Sequence, residues 1–265
     1  MLAPSGDIEL YFDSTGAGAP VLLVMGLGMN ATGWWRTVPV LARSHRVLAF
    51  DSRGMGRSGK PPGPYTMDEL ADDAVAVLDA AGEPAAHVYG ISLGGMIAQH
   101  IALRHPDRVR GLVLGATTAG GELVAATDPV TLAFFFRRAD MPPDEAVWAS
   151  VPYNYGPATR AHHAQRIGED IAQRLRYPVE PEPYKAQLAA AAGHDTSARL
   201  GEIRAPTLIV HGEQDRMVPV ANGERLAARI PGARLKTYPG AGHLYTTDAP
   251  AADEDVAAFL AAQGT

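Results

Sequence analysis

Hydrophobic residues recur along the chain in short runs that have the length of buried strands. Stretches with amphipathic helical spacing separate most of these runs. The predicted strands are residues 8–12, 21–25, 46–50, 87–90, 111–114, 207–211 and 234–238. The clearest predicted helices are residues 67–80, 92–105, 221–229 and 251–262. This alternation predicts an α/β fold, a mostly parallel sheet with helices on both faces, in which sites form at the carboxyl ends of the strands.

Residues 118–205 interrupt the alternation. They contain prolines and helical patterns at 129–138, 144–150, 158–175 and 183–192, and no strand pattern comparable to the others. An insertion of this kind after one strand is expected to cover the active edge of the sheet as a helical cap. The predicted organisation is therefore a core in two parts, 1–117 and 206–265, with a helical cap insertion at 118–205.

Composition limits the classes of function. The 265 residues are 46% hydrophobic and 20% charged, with a net charge of −6 and no cysteine. Mild acidity without a basic block argues against a nucleic-acid partner, and the apolar runs are too short to cross a membrane. The first residues lack the pattern of a secretory signal, so a cytoplasmic location is expected. Disulfides and thiolate chemistry are excluded, no metal or cofactor is predicted, and a homo-oligomer stays open.

The strongest chemical signal surrounds Ser92, in the sequence Gly-Ile-Ser-Leu-Gly-Gly at residues 90–95. An apolar run precedes this serine and a helical pattern follows it, as in the Gly-x-Ser-x-Gly nucleophile elbow. Gly90 and Gly94 lack the side chains that would collide in such a tight turn. No Lys-Ser or Lys-Thr follows a glycine loop nearby, so a phosphate-binding loop does not fit.

A serine nucleophile needs a base to take its proton, and the chain has nine histidines. Those on the Ser92 helix, before strands or inside the insertion are poorly placed: His100, His105, His45, His87, His162, His163 and His194. Two candidates then remain. His211 ends a strand and is expected to point into packing, whereas His243 follows the last strand in a glycine-rich turn. His243 is the predicted base.

The group that orients the base is predicted to be Asp215, which follows the strand at residues 207–211. Glu213 is its nearest competitor, and capping of the next helix is the alternative role for Asp215. The order serine, aspartate, histidine along the chain is the one expected on this kind of sheet. The oxyanion is expected to be held by the backbone N–H groups of Leu93, after the nucleophile, and of Leu27, in the Gly-Leu-Gly turn after the second strand.

Taken together, these motifs resemble the α/β-hydrolase family over nearly the whole chain. The resemblance rests on residues 90–95, on Asp-Ser-Arg-Gly-Met-Gly-Arg-Ser at 51–58, and on Gly-Glu-Gln-Asp at 212–215 combined with Gly242-His243. Residues 46–67 and 108–114 are similar to 3-oxoadipate enol-lactonases, and residues 4–10 and 24–26 to aclacinomycin-type methylesterases. The resemblance implies an eight-stranded sheet, triad roles for Ser92, Asp215 and His243, and oxyanion roles for Leu27 and Leu93.

One departure affects the substrate more than the mechanism. Many relatives have His-Gly in the first loop, where this chain has Met25-Gly26. The loop at 51–58 is interpreted as structural, with Asp51 capping the turn and Arg53 paired internally.

The expected activity is hydrolysis of a small carboxylic ester or lactone through an acyl-enzyme, without metal or cofactor. Cofactor-free perhydrolase or haloperoxidase activity, carbon–carbon bond hydrolysis and a ligand-binding receptor on the same fold are the alternatives. Aromatic residues of the insertion are candidates for an apolar lid over the substrate: Phe134, Phe135, Phe136, Trp148, Tyr153 and Tyr155.

Overall fold

Eight strands form a single sheet in the computed structural model, which describes residues 1–264. The strands are β1 (Leu2–Ser5), β2 (Ile8–Thr15), β3 (Ala19–Val24), β4 (His45–Phe50), β5 (Ala86–Ile91), β6 (Val109–Gly115), β7 (Thr207–Gly212) and β8 (Arg234–Tyr238). Their order across the sheet is β1-β2-β4-β3-β5-β6-β7-β8. Strands β3 to β8 run parallel, whereas β1 and β2 are antiparallel to their neighbours. The predicted eight-stranded, mostly parallel sheet is confirmed.

Twelve α-helices accompany the sheet within the described residues. They are α1 (Thr37–Leu41), α2 (Met67–Ala80), α3 (Leu93–Arg104), α4 (Pro129–Arg138), α5 (Pro143–Ala149), α6 (Val151–Asn154), α7 (Pro157–His162), α8 (Ala164–Arg174), α9 (Pro181–Ala192), α10 (Ala221–Arg229), α11 (Tyr245–Asp248) and α12 (Ala251–Ala261). Short 3₁₀ turns occur at Ala31–Trp34, Pro106–Arg108, Gly121–Leu123 and Leu200–Glu202.

Both faces of the sheet are covered by helices, as the sequence pattern predicts. On one face the buried side chains of β3, β5 and β6 pack with those of α2, α3 and α10 in a single apolar cluster. On the other face the alternate strand residues pack with Trp34, α1 and α12. Successive side chains of a strand point to opposite faces of the sheet. Because both faces are covered by helices, these strands are apolar on both sides and appear in the sequence as continuous hydrophobic runs.

Local signals set the ends of several helices. Thr66 and Glu69 form a reciprocal capping box at the start of α2. Asp128 caps α4 by accepting hydrogen bonds from the backbone N–H groups of Val130 and Thr131. Both helices have the bounds that the sequence pattern predicts.

The structure differs from the sequence pattern at the first strand and within the insertion. The strand β1 was not predicted, because it is a short edge strand with one fully buried residue, Ala3, next to Pro4. The helical pattern at 158–175 corresponds to two helices, α7 and α8, separated at His163. His163 has φ −130° and ψ 40°, outside the helical region, and its N–H closes α7 by bonding to the carbonyl of Thr159.

Helices α4 to α9 all lie between β6 and β7, in the stretch that the sequence assigns to an insertion. The loop at 51–58 contacts the core through Asp51, whose carboxylate accepts from the N–H groups of Ala31 (2.7 Å) and Arg57 (2.9 Å). Arg53 donates to both carboxylate oxygens of Asp73, at 2.6 and 2.8 Å. Within residues 1–264, no helix has both the length and the apolar content that crossing a membrane requires.

Candidate active site

Ser92 lies in the turn between β5 and α3, in a backbone conformation that non-glycine residues rarely adopt. Its φ is 59° and its ψ is −121°. A Cβ on Gly90 would overlap the carbonyl of Gly94, and a Cβ on Gly94 would overlap the carbonyl of Val24. The two flanking glycines are therefore a steric requirement of this strained turn.

Backbone contacts hold the Ser92 turn on both sides. The N–H of Ser92 donates to the carbonyl of Gly115 at 2.8 Å. The carbonyl of Ser92 accepts from the N–H of Gly95 at 2.9 Å and from the hydroxyl of Thr117 at 2.7 Å. Thr117 is fully buried. Sequence analysis missed Thr117 as a supporting residue, since a threonine after a strand carries no distinctive signal.

His243 and Asp215 meet at the carboxyl edge of the sheet, beyond β8 and β7 respectively. Nδ1 of His243 lies 2.8 Å from Oδ2 of Asp215. An ionised carboxylate only accepts hydrogen bonds, so the proton between them resides on Nδ1 and Nε2 is left as the acceptor nitrogen of a neutral ring. The contact fixes both the tautomer and the orientation of the imidazole.

Asp215 is itself held in place and kept ionised. Its Oδ1 accepts from the backbone N–H groups of Met217 (2.8 Å) and Val218 (2.9 Å). Burial alone would raise the pKa of this carboxyl group, but the interactions with His243 and His211 outweigh it and leave the pKa below its ordinary value.

The two competitors considered for these positions make other contacts. Nε2 of His211 lies 2.8 Å from the carbonyl oxygen of Val218 and 3.4 Å from Oδ2 of Asp215, so His211 packs behind the aspartate. Glu213 accepts a hydrogen bond of 2.8 Å from the hydroxyl of Thr237.

Ser92 and His243 line one small cavity of about 30 Å³. Leu27 and Gly26 form part of the same wall, and a Cβ on Gly26 would lie 3.1 Å from the Cβ of Ser92. Leu93 is the first residue of α3, where an N–H group has no acceptor within the helix. The residues expected to supply the oxyanion donors thus adjoin the serine.

A second and larger space of about 310 Å³, the apolar cleft, is also lined by Ser92. Of the six aromatic residues predicted as a lid, Phe135 and Phe136 line this cleft. The others have different surroundings: Phe134 stacks on Tyr153 at 4.4 Å between ring centroids, Tyr155 is buried, and Trp148 is 58% exposed.

Three residues that sequence analysis did not assign to the site also line these spaces. His194 lies along the apolar cleft, and its burial lowers the pKa to about 4, which keeps the ring neutral. Arg138 and Arg174 line the small cavity beside Ser92. In the sequence each arginine falls in the last turn of a helix, where a basic residue ordinarily interacts with the helix dipole in solvent.

The order and direction of the strands are those of an α/β hydrolase. Residues 19–249 match the family model described as the alpha/beta hydrolase fold, and the chain belongs to that family. The predicted resemblance is confirmed, and the protein is a hydrolase of this fold.

Proteins similar to this chain carry the names of different hydrolases. A protein of Azorhizobium caulinodans named carbamate hydrolase RutD is 33% identical over 94% of this chain and 93% of its own length. A 2-hydroxy-6-oxo-2,4-heptadienoate hydrolase of Pseudomonas putida is 32% identical over 90% of this chain and 87% of its own. The crystal structure of the enol-lactonase from Burkholderia xenovorans LB400 superposes with a TM-score of 0.87 at 25% identity, covering 98% of this chain and all 100% of that one.

Proposed function

We propose that the protein is a serine hydrolase that cleaves a small carboxylic ester or lactone through an acyl-enzyme intermediate. The observation that carries this proposal is the 2.8 Å contact between His243 and Asp215 at the edge of the cavity that Ser92 also lines. A neutral imidazole held in that tautomer has Nε2 available to accept the proton of a serine hydroxyl.

In the proposed reaction, Ser92 attacks the substrate carbonyl while His243 takes its proton. The N–H groups of Leu27 and Leu93 hold the oxyanion of the tetrahedral intermediate. His243 then returns the proton to the leaving alcohol, or to the ring oxygen of a lactone, and the acyl group stays on Ser92. Water, deprotonated by His243, attacks the acyl-enzyme and releases the acid.

The direct test combines turnover with covalent labelling. Ser92→Ala is expected to lower kcat/KM on 4-nitrophenyl esters by roughly 10⁴-fold or more and to abolish labelling by a fluorophosphonate, which reacts with the activated serine. Ser52→Ala, a buried serine in the loop at 51–58, is the matched control and should retain both. Turnover that survives in Ser92→Ala would overturn the proposal.

Hydrolysis of a carbamate is a second candidate, since the relative from Azorhizobium is named a carbamate hydrolase. The same nucleophile would attack the carbamate carbonyl. Comparing kcat/KM for an ester, a lactone and an O-aryl carbamate decides between the two. Labelling that gives one stoichiometric burst without turnover on any of them would favour a receptor on this fold.

A further inference from the structure

Two arginine side chains are buried at the cavity that contains Ser92. Arg138 comes from the end of α4 and Arg174 from the end of α8, and the exposed fractions are 9% and 8%. Both line the same cavity as Ser92 and His243. Charged side chains are rarely buried to this extent unless a group of opposite charge accompanies them.

No such group accompanies these two within residues 1–264, where neither guanidinium has a carboxylate oxygen within 4.0 Å. Arg174 donates to the neutral hydroxyl of Ser150 at 3.1 Å. Arg138 lies over the ring of Tyr184, with its Cζ 5.1 Å from the centroid. These contacts hold the side chains without neutralising their charge.

The carboxylate on the same helix as Arg174, that of Asp170, is occupied by other groups. Its Oδ1 accepts from Arg36 and Trp35, each at 3.0 Å. Its Oδ2 accepts from the hydroxyls of Thr247 (2.7 Å) and Tyr155 (3.2 Å). Asp170 shares Arg36 with Glu169 and attracts Arg174 only at longer range, so the two positive charges at the cavity have no carboxylate in direct contact and are matched only in part.

Arg174 stays charged despite this environment. Burial and the neighbouring charge of Arg138 lower its pKa to about 10, which is still far above neutral pH. The cavity beside Ser92 is therefore lined by two positive charges and suited to an anionic group.

The apolar cleft meets this cavity at a common wall. Leu27, Ser92, Phe135 and Met217 line both spaces. Beyond that wall the cleft is lined mainly by apolar side chains, among them Phe136 and Leu188. Ser92 thus lies where a cationic compartment and an apolar compartment join.

We infer that the substrate is amphipathic: Arg138 and Arg174 bind a carboxylate of the substrate, the reactive carbonyl lies at Ser92, and the apolar part fills the cleft. This inference rests on the proposed function. A carboxylate suits the compartment because the planar guanidinium pairs with it through two parallel hydrogen bonds. The cavity of about 30 Å³ also admits only a small group.

The test compares two esters that differ in one charge. One is the mono-4-nitrophenyl ester of a straight-chain dicarboxylic acid of five to seven carbons, and the other is the 4-nitrophenyl ester of the monocarboxylic acid of equal length. The wild type is expected to prefer the anionic ester in kcat/KM. Arg138→Gln and Arg174→Gln should each lower the ratio of anionic to neutral kcat/KM by about 10- to 100-fold, which is the loss of a charge-assisted hydrogen bond.

Arg137→Gln is the matched control. Arg137 precedes Arg138 on α4, is exposed, and its substitution changes the net charge equally. The ratio should not change in this variant, because a charge in solvent is screened. An unchanged ratio in both buried-arginine variants would overturn the inference. So would an equal loss on both esters, since the arginines would then act on the oxyanion or on the fold.

A binding measurement separates this inference from the proposed function. Glutarate binding to the wild type, followed by calorimetry, should weaken at least tenfold in Arg174→Gln and remain in Arg137→Gln. If neither ester is cleaved but glutarate binding follows this pattern, the hydrolase proposal fails and the anion site stands. If esters are cleaved and glutarate binds equally to all variants, the anion site fails. Thermal unfolding of each variant identifies any that does not fold. If Arg174→Gln does not fold, glutarate binding is measured with Arg138→Gln instead.

Discussion

The hydroxyl of Thr117 donates a hydrogen bond of 2.7 Å to the carbonyl oxygen of Ser92. This bond joins the end of β6 to the turn that holds Ser92. The same carbonyl also accepts from the N–H of Gly95 at 2.9 Å, so removal of the hydroxyl leaves it with a partner.

Thr117→Val should therefore act on catalysis more than on folding. We expect kcat on a 4-nitrophenyl ester to fall by about 3- to 10-fold, because a net hydrogen-bond contribution of roughly 1 kcal/mol no longer positions the turn. Thr207→Val is the matched control, since the buried hydroxyl of Thr207 donates to the carbonyl of Ala205 at 2.8 Å at the other end of the sheet. Equal kcat values for the two variants would argue against a positioning role for Thr117.

Asp215→Asn should keep the loop structure but lower activity through the tautomer of His243. The amide oxygen of asparagine can still accept from Met217 and Val218, but its NH₂ group favours the wrong tautomer of His243. We expect kcat to fall by roughly 10³- to 10⁴-fold. Glu213→Gln, two residues earlier in the same turn, should retain activity, and steady-state kinetics on both variants measure the contrast.

Stability should depend on pH through Asp253, which is buried and forms no ion pair within residues 1–264. Burial raises its pKa from 3.8 to about 7, against the lowering effect of the hydrogen bond from Thr37. Between these two values the folded protein holds a proton that the unfolded chain releases. The free energy of unfolding is therefore lost progressively as pH rises through this window, by at most about 1.4 kcal/mol per pH unit.

Asp253→Asn removes this titration and should become increasingly more stable than the wild type from pH 4 to pH 7, with a constant difference above pH 7. Urea denaturation at a series of pH values measures the difference. A difference that does not change with pH for Asp253→Asn would mean that the pKa of Asp253 is not raised by folding.

Two glycines should respond oppositely to alanine. Gly94→Ala places a Cβ against the backbone of β3 and should reduce the free energy of unfolding by roughly 3 kcal/mol or more. Gly168, within α8, has open space at its Cβ position, so Gly168→Ala should increase stability by about 1 kcal/mol through helix propensity. Chemical denaturation distinguishes the two, and a tolerated Gly94→Ala would contradict the steric account of the turn.

The sequence predicts the sheet and the arrangement around Ser92 better than it predicts the surroundings of the substrate. Strands β5 and β7 are buried at every position and have apolar runs at their centres, and Gly90 and Gly94 mark a turn with few alternatives. Those signals are local, so a linear pattern contains them. The split at His163 and the edge strand β1 lack a comparable signal, because neither glycine nor proline marks the split and β1 buries little.

Arg138 and Arg174 illustrate what a linear pattern cannot contain. Each follows a helical pattern and reads as a solvated cation, and only the packing of α4 and α8 over the sheet edge buries both at one cavity. Their separation of 36 positions along the chain gives no indication that they share a cavity. The hydroxyl contact of Thr117 depends on tertiary packing in the same way.

Ser92, His243 and Asp215 follow strands of the sheet, whereas Arg138 and Arg174 belong to helices between β6 and β7. The residues proposed to cleave the bond and those inferred to select the substrate are thus encoded in separate stretches of the gene. Exchange of this helical stretch between relatives would then change the substrate while the residues that follow the strands stay the same.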